Sequence, residues 1–191
     1  MTRDDLARWD DRYRREDWKN ARDPYPLLAE HVPPIADGFA LDLACGLGHN
    51  SIWLARHGYH VLGVDLSRVA LEKARKAASA AGMAERVRFA QVDLDHYRPP
   101  AGCFDLVAVI RFLDRALFPY IAASLKPGGL LIYATLNWRR RETHPEVEPV
   151  YLLQPGELKT SFPGFELLHA SEVGDHSEIV ARKPRNPAIN T

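Results

Sequence analysis

Three acids and two glycines are spaced along this chain as a ligand would need them: Asp42, Gly46, Gly48, Asp65 and Asp93. Gly46-Leu47-Gly48 separates the apolar run Ala40–Leu43 from the cluster Ile52-Trp53-Leu54-Ala55. That order reads as a buried strand turning directly into a buried helix. Glycines at such a turn let backbone approach a bound molecule, and a helix start offers N–H groups with no partner inside the helix. Asp65 closes the next apolar run, Tyr59–Asp65, roughly 20 residues after the glycines, where an acid reaches ribose hydroxyls. Asp93 and Leu94 follow a third strand and are placed to meet a base ring; Arg111 and Phe112 follow a fourth. Two glycines alone also fit a plain buried turn. With both acids in register, the set describes a nucleoside-containing ligand.

The elements that must hold these residues follow from hydrophobic patterning. Leu6, Trp9 and Tyr13, with Trp18 more loosely, share one face of an amphipathic helix over residues 3–20. It is either a surface helix or a lid laying aromatics over a ligand. Prolines bracket a helical turn or two at Leu27–Val32. Ser67 caps a helix whose alanine-rich face ends at Gly82. Val87–Val92 alternates as the third strand, and Phe104–Ile110 is apolar enough to be covered on both faces. A helix over Leu117–Leu125 is expected to stop at Lys126-Pro-Gly-Gly129, with a fifth strand at Leu130–Thr135. Residues 137–150 read as a long polar loop carrying Arg139, Arg140 and Arg141, and Pro155–Thr160 as a short helix. Phe165–Ala170 and Ser177–Arg182, joined across Gly174-Asp175-His176, read as a terminal hairpin. Alternating strands and helices followed by a hairpin make a parallel α/β sheet with an antiparallel edge. Ligands of such sheets bind beyond the carboxyl ends of the strands.

The bulk numbers agree with one domain of ordinary size. The chain has 191 residues, 46% hydrophobic and 26% charged, with a formal net charge of +0. That balance gives no global reason to expect nucleic acid as a partner. The opening Met-Thr-Arg-Asp-Asp lacks a signal peptide's apolar core, and no apolar run reaches the roughly 20 residues of a membrane span. Cys45 and Cys103 have no metal-type spacing and the histidines form no HxxxH pair, so no metal is expected. A cytoplasmic setting follows, as monomer or homodimer.

Leu41-Asp-Leu-Ala-Cys-Gly-Leu-Gly48, Val64-Asp65, Val92-Asp93, Phe104-Asp-Leu-Val107 and Leu125-Lys-Pro-Gly-Gly-Leu-Leu131 occur in one order over residues 37–136. In that order they resemble class I S-adenosylmethionine-dependent methyltransferases. Gly48–Ala55, Trp9-Asp-Asp-Arg-Tyr13 and Tyr151–Leu158 look more narrowly like the tellurite-resistance branch. This chain has His49 where that branch commonly has Arg, and its terminal hairpin lacks the branch's longer basic segment. The resemblance implies a three-layer Rossmann-like fold with a seven-stranded, mostly parallel sheet of order 3-2-1-4-5-7-6, strand 7 antiparallel. Under it, residues 1–36 form a cap, 37–136 the cofactor core, 137–183 the substrate-side loop and hairpin, and 184–191 a tail of a single domain.

Carried over by position, the resemblance implies that Asp42 and the Gly46–Gly48 backbone hold the amino-acid end of S-adenosylmethionine. Asp65 would accept from both ribose hydroxyls, Asp93 would meet the exocyclic amine of adenine, and the Leu94 amide a ring nitrogen. Ala44, His49, Asn50, Leu66 and Ile110 complete the cofactor lining, and Trp9 and Tyr13 would close over it. Arg111 would lie near the methionine moiety or the acceptor. The product would be S-adenosylhomocysteine and the acceptor a small molecule. A nicotinamide dehydrogenase would want Gly or Ala where Ser51 stands, and a non-catalytic binder of the same cofactor fits the same residues. The sulfonium is already activated, so alignment carries most of the catalysis. A thiol or chalcogen acceptor, slightly favoured by the branch resemblance, would need no base; a hydroxyl or amine would. Arg111 and His176 are the candidates on that side.

Overall fold

The computed structural model describes residues 3–15 and 23–185. Trp18, expected at the end of the first helix, lies outside them. The chain forms two compact units, residues 1–98 and 99–191.

In the first unit, helices α1 (Arg3–Arg15) and α2 (Pro26–His31) precede strand β1 (Gly38–Leu43). Helix α3 (His49–Arg56), strand β2 (Tyr59–Asp65), helix α4 (Arg68–Ala80) and strand β3 (Val87–Gln91) follow. β2 pairs in parallel with both β1 and β3, putting Asp42 opposite Gly63 and Asp65 opposite Gln91. Leu41, Leu43, Val64, Leu54 and Leu71 are fully buried, which fixes the faces that the turns after β1 and β2 must leave. Ser67 caps α4 as its sequence implied, accepting the Ala70 N–H at 3.1 Å.

The second unit carries β4 (Phe104–Ile110), a 3-10 turn at Arg115–Leu117, α5 (Phe118–Ser124) and β5 (Leu125–Leu136). Next come α6 (Arg140–Thr143), a second 3-10 turn at Pro149–Tyr151, and α7 (Glu157–Thr160). The antiparallel pair β6 (Glu166–Val173) and β7 (His176–Arg182) completes it. β4 and β5 are parallel, and β7 runs antiparallel to β5. The order of hydrogen-bonded strands, β3-β2-β1-β4-β5-β7-β6, is the expected one.

Two expectations change. The helix before Lys126-Pro-Gly-Gly129 ends as expected, at Ser124, but the fifth strand does not wait for Leu130: β5 begins at Leu125, opposite Phe104. Gly128 donates to Lys183 and Lys183 donates to Gly129, both at 2.9 Å, so the glycines belong to the ladder. The polar loop at 137–150 contains α6, a single turn held by local bonds such as Arg140 N–H to Asn137 C=O at 3.0 Å. So short a turn leaves no hydrophobic period to read.

Among the described residues no helix is long and apolar enough to cross a membrane, and no group of three potential ligands could hold a metal ion.

Candidate functional site

The turn after β1 is built to a tight pattern. Ala44, Gly46 and Gly48 all have positive φ, at 57°, 52° and 75°. A Cβ on Gly48 would lie 2.7 Å from the Phe89 ring, and one on Gly46 would lie 2.8 Å from the Tyr13 hydroxyl oxygen. A larger residue at either position is strained by the backbone conformation and would have to push these side chains aside. Gly48 caps α3, so its first N–H groups face the turn.

Asp65 organises this turn from the end of β2. One carboxylate oxygen accepts the Gly46 N–H at 2.8 Å and the other accepts the Ser67 N–H at 2.8 Å. Each oxygen keeps a further lone pair, so the carboxylate remains able to accept from a diol. Burial pushes its pKa up, the N–H groups of Ser67, Gly46 and Leu66 pull it back, and nearby Asp10 adds to the rise.

Asp42 is 1% exposed and accepts the Ser51 hydroxyl at 2.6 Å. Burial, with the Asp65 charge beside it, pushes its carboxyl up to about 7 despite that hydrogen bond. Two carboxyls in one buried turn create a local demand for a cation. The small size of Ser51 is legible in the sequence; its role as donor to Asp42 needs the fold.

Beyond β3, Asp93 accepts the Asp95 N–H at 3.1 Å and pairs with the His96 ring at 3.0 Å, keeping its side chain 40% exposed. Leu94 packs its side chain into the core, 1% exposed. The Leu66 carbonyl accepts from Gln91 at 3.0 Å, which ties the ends of β2 and β3 together. Asn50 plays a structural part, because its side-chain oxygen accepts the Tyr25 N–H at 2.9 Å and so holds the chain ahead of α2. His49 opens α3 beside it.

Helix α1 lies over the turn. Trp9 and Tyr13 stack with ring centres 5.9 Å apart. Ser67 donates to Asp10 at 2.5 Å, and Lys73 donates to the Tyr13 and Arg14 carbonyls. The aromatics stand out in the sequence, but Asp10 and Lys73 do not, because these bonds span more than fifty residues.

In the second unit, Ile110 ends β4 half-buried and Arg111 follows it exposed, with φ 59°. Ala44 and Arg111 are the two non-glycine residues with positive φ among the described residues, and each directly follows a parallel strand. Such backbone costs of order 1 kcal/mol or more and collects at functional sites. Arg111→Gly is therefore expected to raise thermal stability by about 1 kcal/mol while lowering turnover. A drop in melting temperature would mean that the side chain is structural. His176 opens β7 opposite Leu136 and bonds Asp175 at 2.7 Å. Cys45 is buried and its thiol is pushed well up by burial, which suits packing rather than nucleophilic attack.

Residues 40–129 match a family model described as "Methyltransferase domain". The ubiquinone biosynthesis O-methyltransferase of Vibrio parahaemolyticus is 33% identical over 122 residues, covering 59% of this chain and 51% of that protein. The trans-aconitate 2-methyltransferase of Paracidovorax citrulli is 31% identical over 151 residues, covering 75% of this chain and 55% of that protein. The chain thus spans about half the length of these curated relatives. Among solved structures, an S-adenosylmethionine dependent methyltransferase from Mesorhizobium loti superimposes with a TM-score of 0.70 at 22% identity, covering 83% of this chain and 96% of that one. At that identity the likeness concerns the fold.

Proposed function

We propose, from the match of residues 40–129 to a methyltransferase domain model, that the chain is a class I S-adenosylmethionine-dependent methyltransferase that transfers a methyl group from S-adenosylmethionine to a small molecule. The observation that carries the reading is the Asp42–Asp65 pair around a left-handed glycine turn. A buried carboxyl held near pH 7 fits an α-ammonium, and would disfavour a pyrophosphate. Solved structures of the same fold, 18% and 16% identical, include one in complex with S-adenosyl-L-methionine and one with S-adenosyl-L-homocysteine.

When bound, the cofactor supplies a methyl group already activated on a sulfonium. What remains for the protein is to bind and align. Asp42 would take the ammonium, with Ser51 keeping the carboxylate oriented, and the Gly46–Gly48 backbone would border the amino-acid end. Asp65 would accept the ribose hydroxyls through its spare lone pairs, and Asp93 with the Leu94 amide would meet adenine. Ala44, His49 and Leu66 would line the same pocket. We extend the proposal to one domain over the whole chain, with residues 1–36 as cap and Arg111 on the acceptor side.

Titration of the purified protein with S-adenosylhomocysteine and with NAD tests the reading. Binding of the first and not the second is expected; the reverse would sink it. Tyr13, whose hydroxyl covers Gly46, would close the site. Tyr13→Ala is expected to speed S-adenosylhomocysteine dissociation on the order of tenfold, since such changes act mainly through off-rates. An unchanged rate in stopped flow would remove the lid role.

A sulfur or chalcogen acceptor, expected from the branch resemblance, would need no proton acceptor, whereas a hydroxyl or amine would.

A further inference from the structure

Helix α1 carries two neighbouring acids that the fold treats differently. Asp11 is neutralised within its own helix by Arg15 at 2.5 Å. Asp10 has no ion pair among the described residues; one of its oxygens accepts the Ser67 hydroxyl at 2.5 Å. The basic groups around it are engaged elsewhere. Arg8 and Arg12 lie against the Trp9 ring at 6.0 and 5.2 Å, and Lys73 donates to the Tyr13 and Arg14 carbonyls.

Ser67 is shared between two carboxylates. Its N–H donates to Asp65 at 2.8 Å while its hydroxyl donates to Asp10, and the same hydroxyl oxygen accepts the Ala70 N–H at 3.1 Å. One helical turn on from Asp10, the Tyr13 hydroxyl covers Gly46, whose N–H holds the other Asp65 oxygen. Helix α1 thus meets the turn at both of these Asp65 partners. Docked this way, it adds a carboxylate to a turn that already contains Asp42 and Asp65, and the Asp10 charge helps to push the Asp65 carboxyl up. A clasp on a hydroxyl needs only an acceptor oxygen, which asparagine would supply without charge. An acid in that place costs the cofactor-free chain stability through like-charge repulsion, and a positive ligand relieves that cost.

We propose that Asp10 makes α1 a charge-sensitive cover, which closes over S-adenosylmethionine and loosens once the sulfonium charge is gone. The inference rests on the methyltransferase reading and goes beyond it, since that reading asks of α1 only that it cover the site. S-adenosylmethionine carries an ammonium, a carboxylate and the sulfonium, and so a net positive charge. S-adenosylhomocysteine lacks the sulfonium and is neutral overall. A ligand shifts an equilibrium only by its differential affinity for the two states. Here that difference is electrostatic: the docked helix, with its extra carboxylate, favours the cationic cofactor over the neutral product. Loss of the methyl group therefore weakens the cover and assists product release, a step that limits many enzymes.

The test is calorimetry with S-adenosylmethionine and S-adenosylhomocysteine, without any acceptor, on wild type, Asp10→Asn and Asp10→Ala. Asparagine keeps an oxygen for Ser67 and drops the charge; alanine drops both. The wild-type preference for S-adenosylmethionine over S-adenosylhomocysteine should fall about fivefold in Asp10→Asn, chiefly through weaker S-adenosylmethionine binding. In wild type the same preference should shrink as salt is raised. Asp10→Ala should lose the preference as well and release both ligands faster. Hydrogen exchange gives a readout independent of affinity. The α1 amides of wild type should be better protected with S-adenosylmethionine than with S-adenosylhomocysteine, and equally protected with either in Asp10→Asn. A preference unchanged in Asp10→Asn, or equal protection of α1 by the two ligands in wild type, overturns the inference and leaves the cofactor reading standing. Failure of wild type to bind either ligand removes that reading, and the inference with it.

Discussion

Asp65→Ala is expected to weaken S-adenosylhomocysteine binding at least 100-fold, about 3 kcal/mol. Two effects combine. The ribose would lose charge-assisted hydrogen bonds, each worth roughly 1.5–3 kcal/mol. The Gly46 and Ser67 N–H groups would also lose the acceptor that each finds at 2.8 Å. The first glycine of the turn would then be held by its φ of 52° alone, so the cradle should loosen as well. Calorimetry at neutral pH gives the affinity, and hydrogen exchange at Gly46 and Ser67 reports the turn. An unchanged dissociation constant would mean that Asp65 only braces backbone and that another group meets the ribose.

Asp42→Asn is expected to move stability and binding in opposite directions. The carboxyl is raised from 3.8 to about 7, by burial first and by Asp65 after it. The folded chain therefore holds a proton there that the unfolded chain has released between roughly pH 4 and pH 7. Stability falls as pH rises across that window and is fully reduced above the folded pKa. At about 1.4 kcal/mol per unit, the cost at pH 8 is at most about 4 kcal/mol. Asparagine keeps an oxygen for the Ser51 hydroxyl and carries no charge, so the cofactor-free variant should melt higher at pH 8 and match wild type near pH 4. Its affinity for S-adenosylhomocysteine should drop at least tenfold, because the ammonium loses its counter-charge. Wild-type binding near pH 6 should also release a proton, read from calorimetry in buffers of different ionisation enthalpy. A variant that melts lower at pH 8, or that binds normally, would show that Asp42 is a packing residue.

Under the proposed function, the two carboxyls are where the cofactor-free protein carries the cost of its site. Natural sites often retain such strain where a ligand later relieves it. Here it lies in Asp42 and Asp65, and in the left-handed Ala44 that carries the chain out of β1.

Much of the fold is legible in the chain because its signals are local. Phe104–Ile110 is apolar throughout, Ser67 stands one residue before an amphipathic helix, and Gly46 and Gly48 mark a turn in which larger residues are strained. Where the signal is not local, the sequence misleads. Lys126-Pro-Gly-Gly129 has the composition of a stop, and only its ladder with Lys183 makes it strand. Asn50, expected in the cofactor lining, also accepts the Tyr25 N–H, a partner 25 residues away that no local pattern shows.

The sequence by itself determined which segments become strands and the identity of the turn's residues, since hydrophobic period and glycine placement act within a few residues; the order of strands in the sheet was what the family resemblance implied. Tertiary structure alone decided what each polar side chain faces. Ser51 on Asp42, Asp10 on Ser67 and Arg140 on Asp175 are contacts across 9, 57 and 35 residues. Such contacts fix charge, orientation and protonation, because burial and partners, not residue type, set the free energy of a buried polar group.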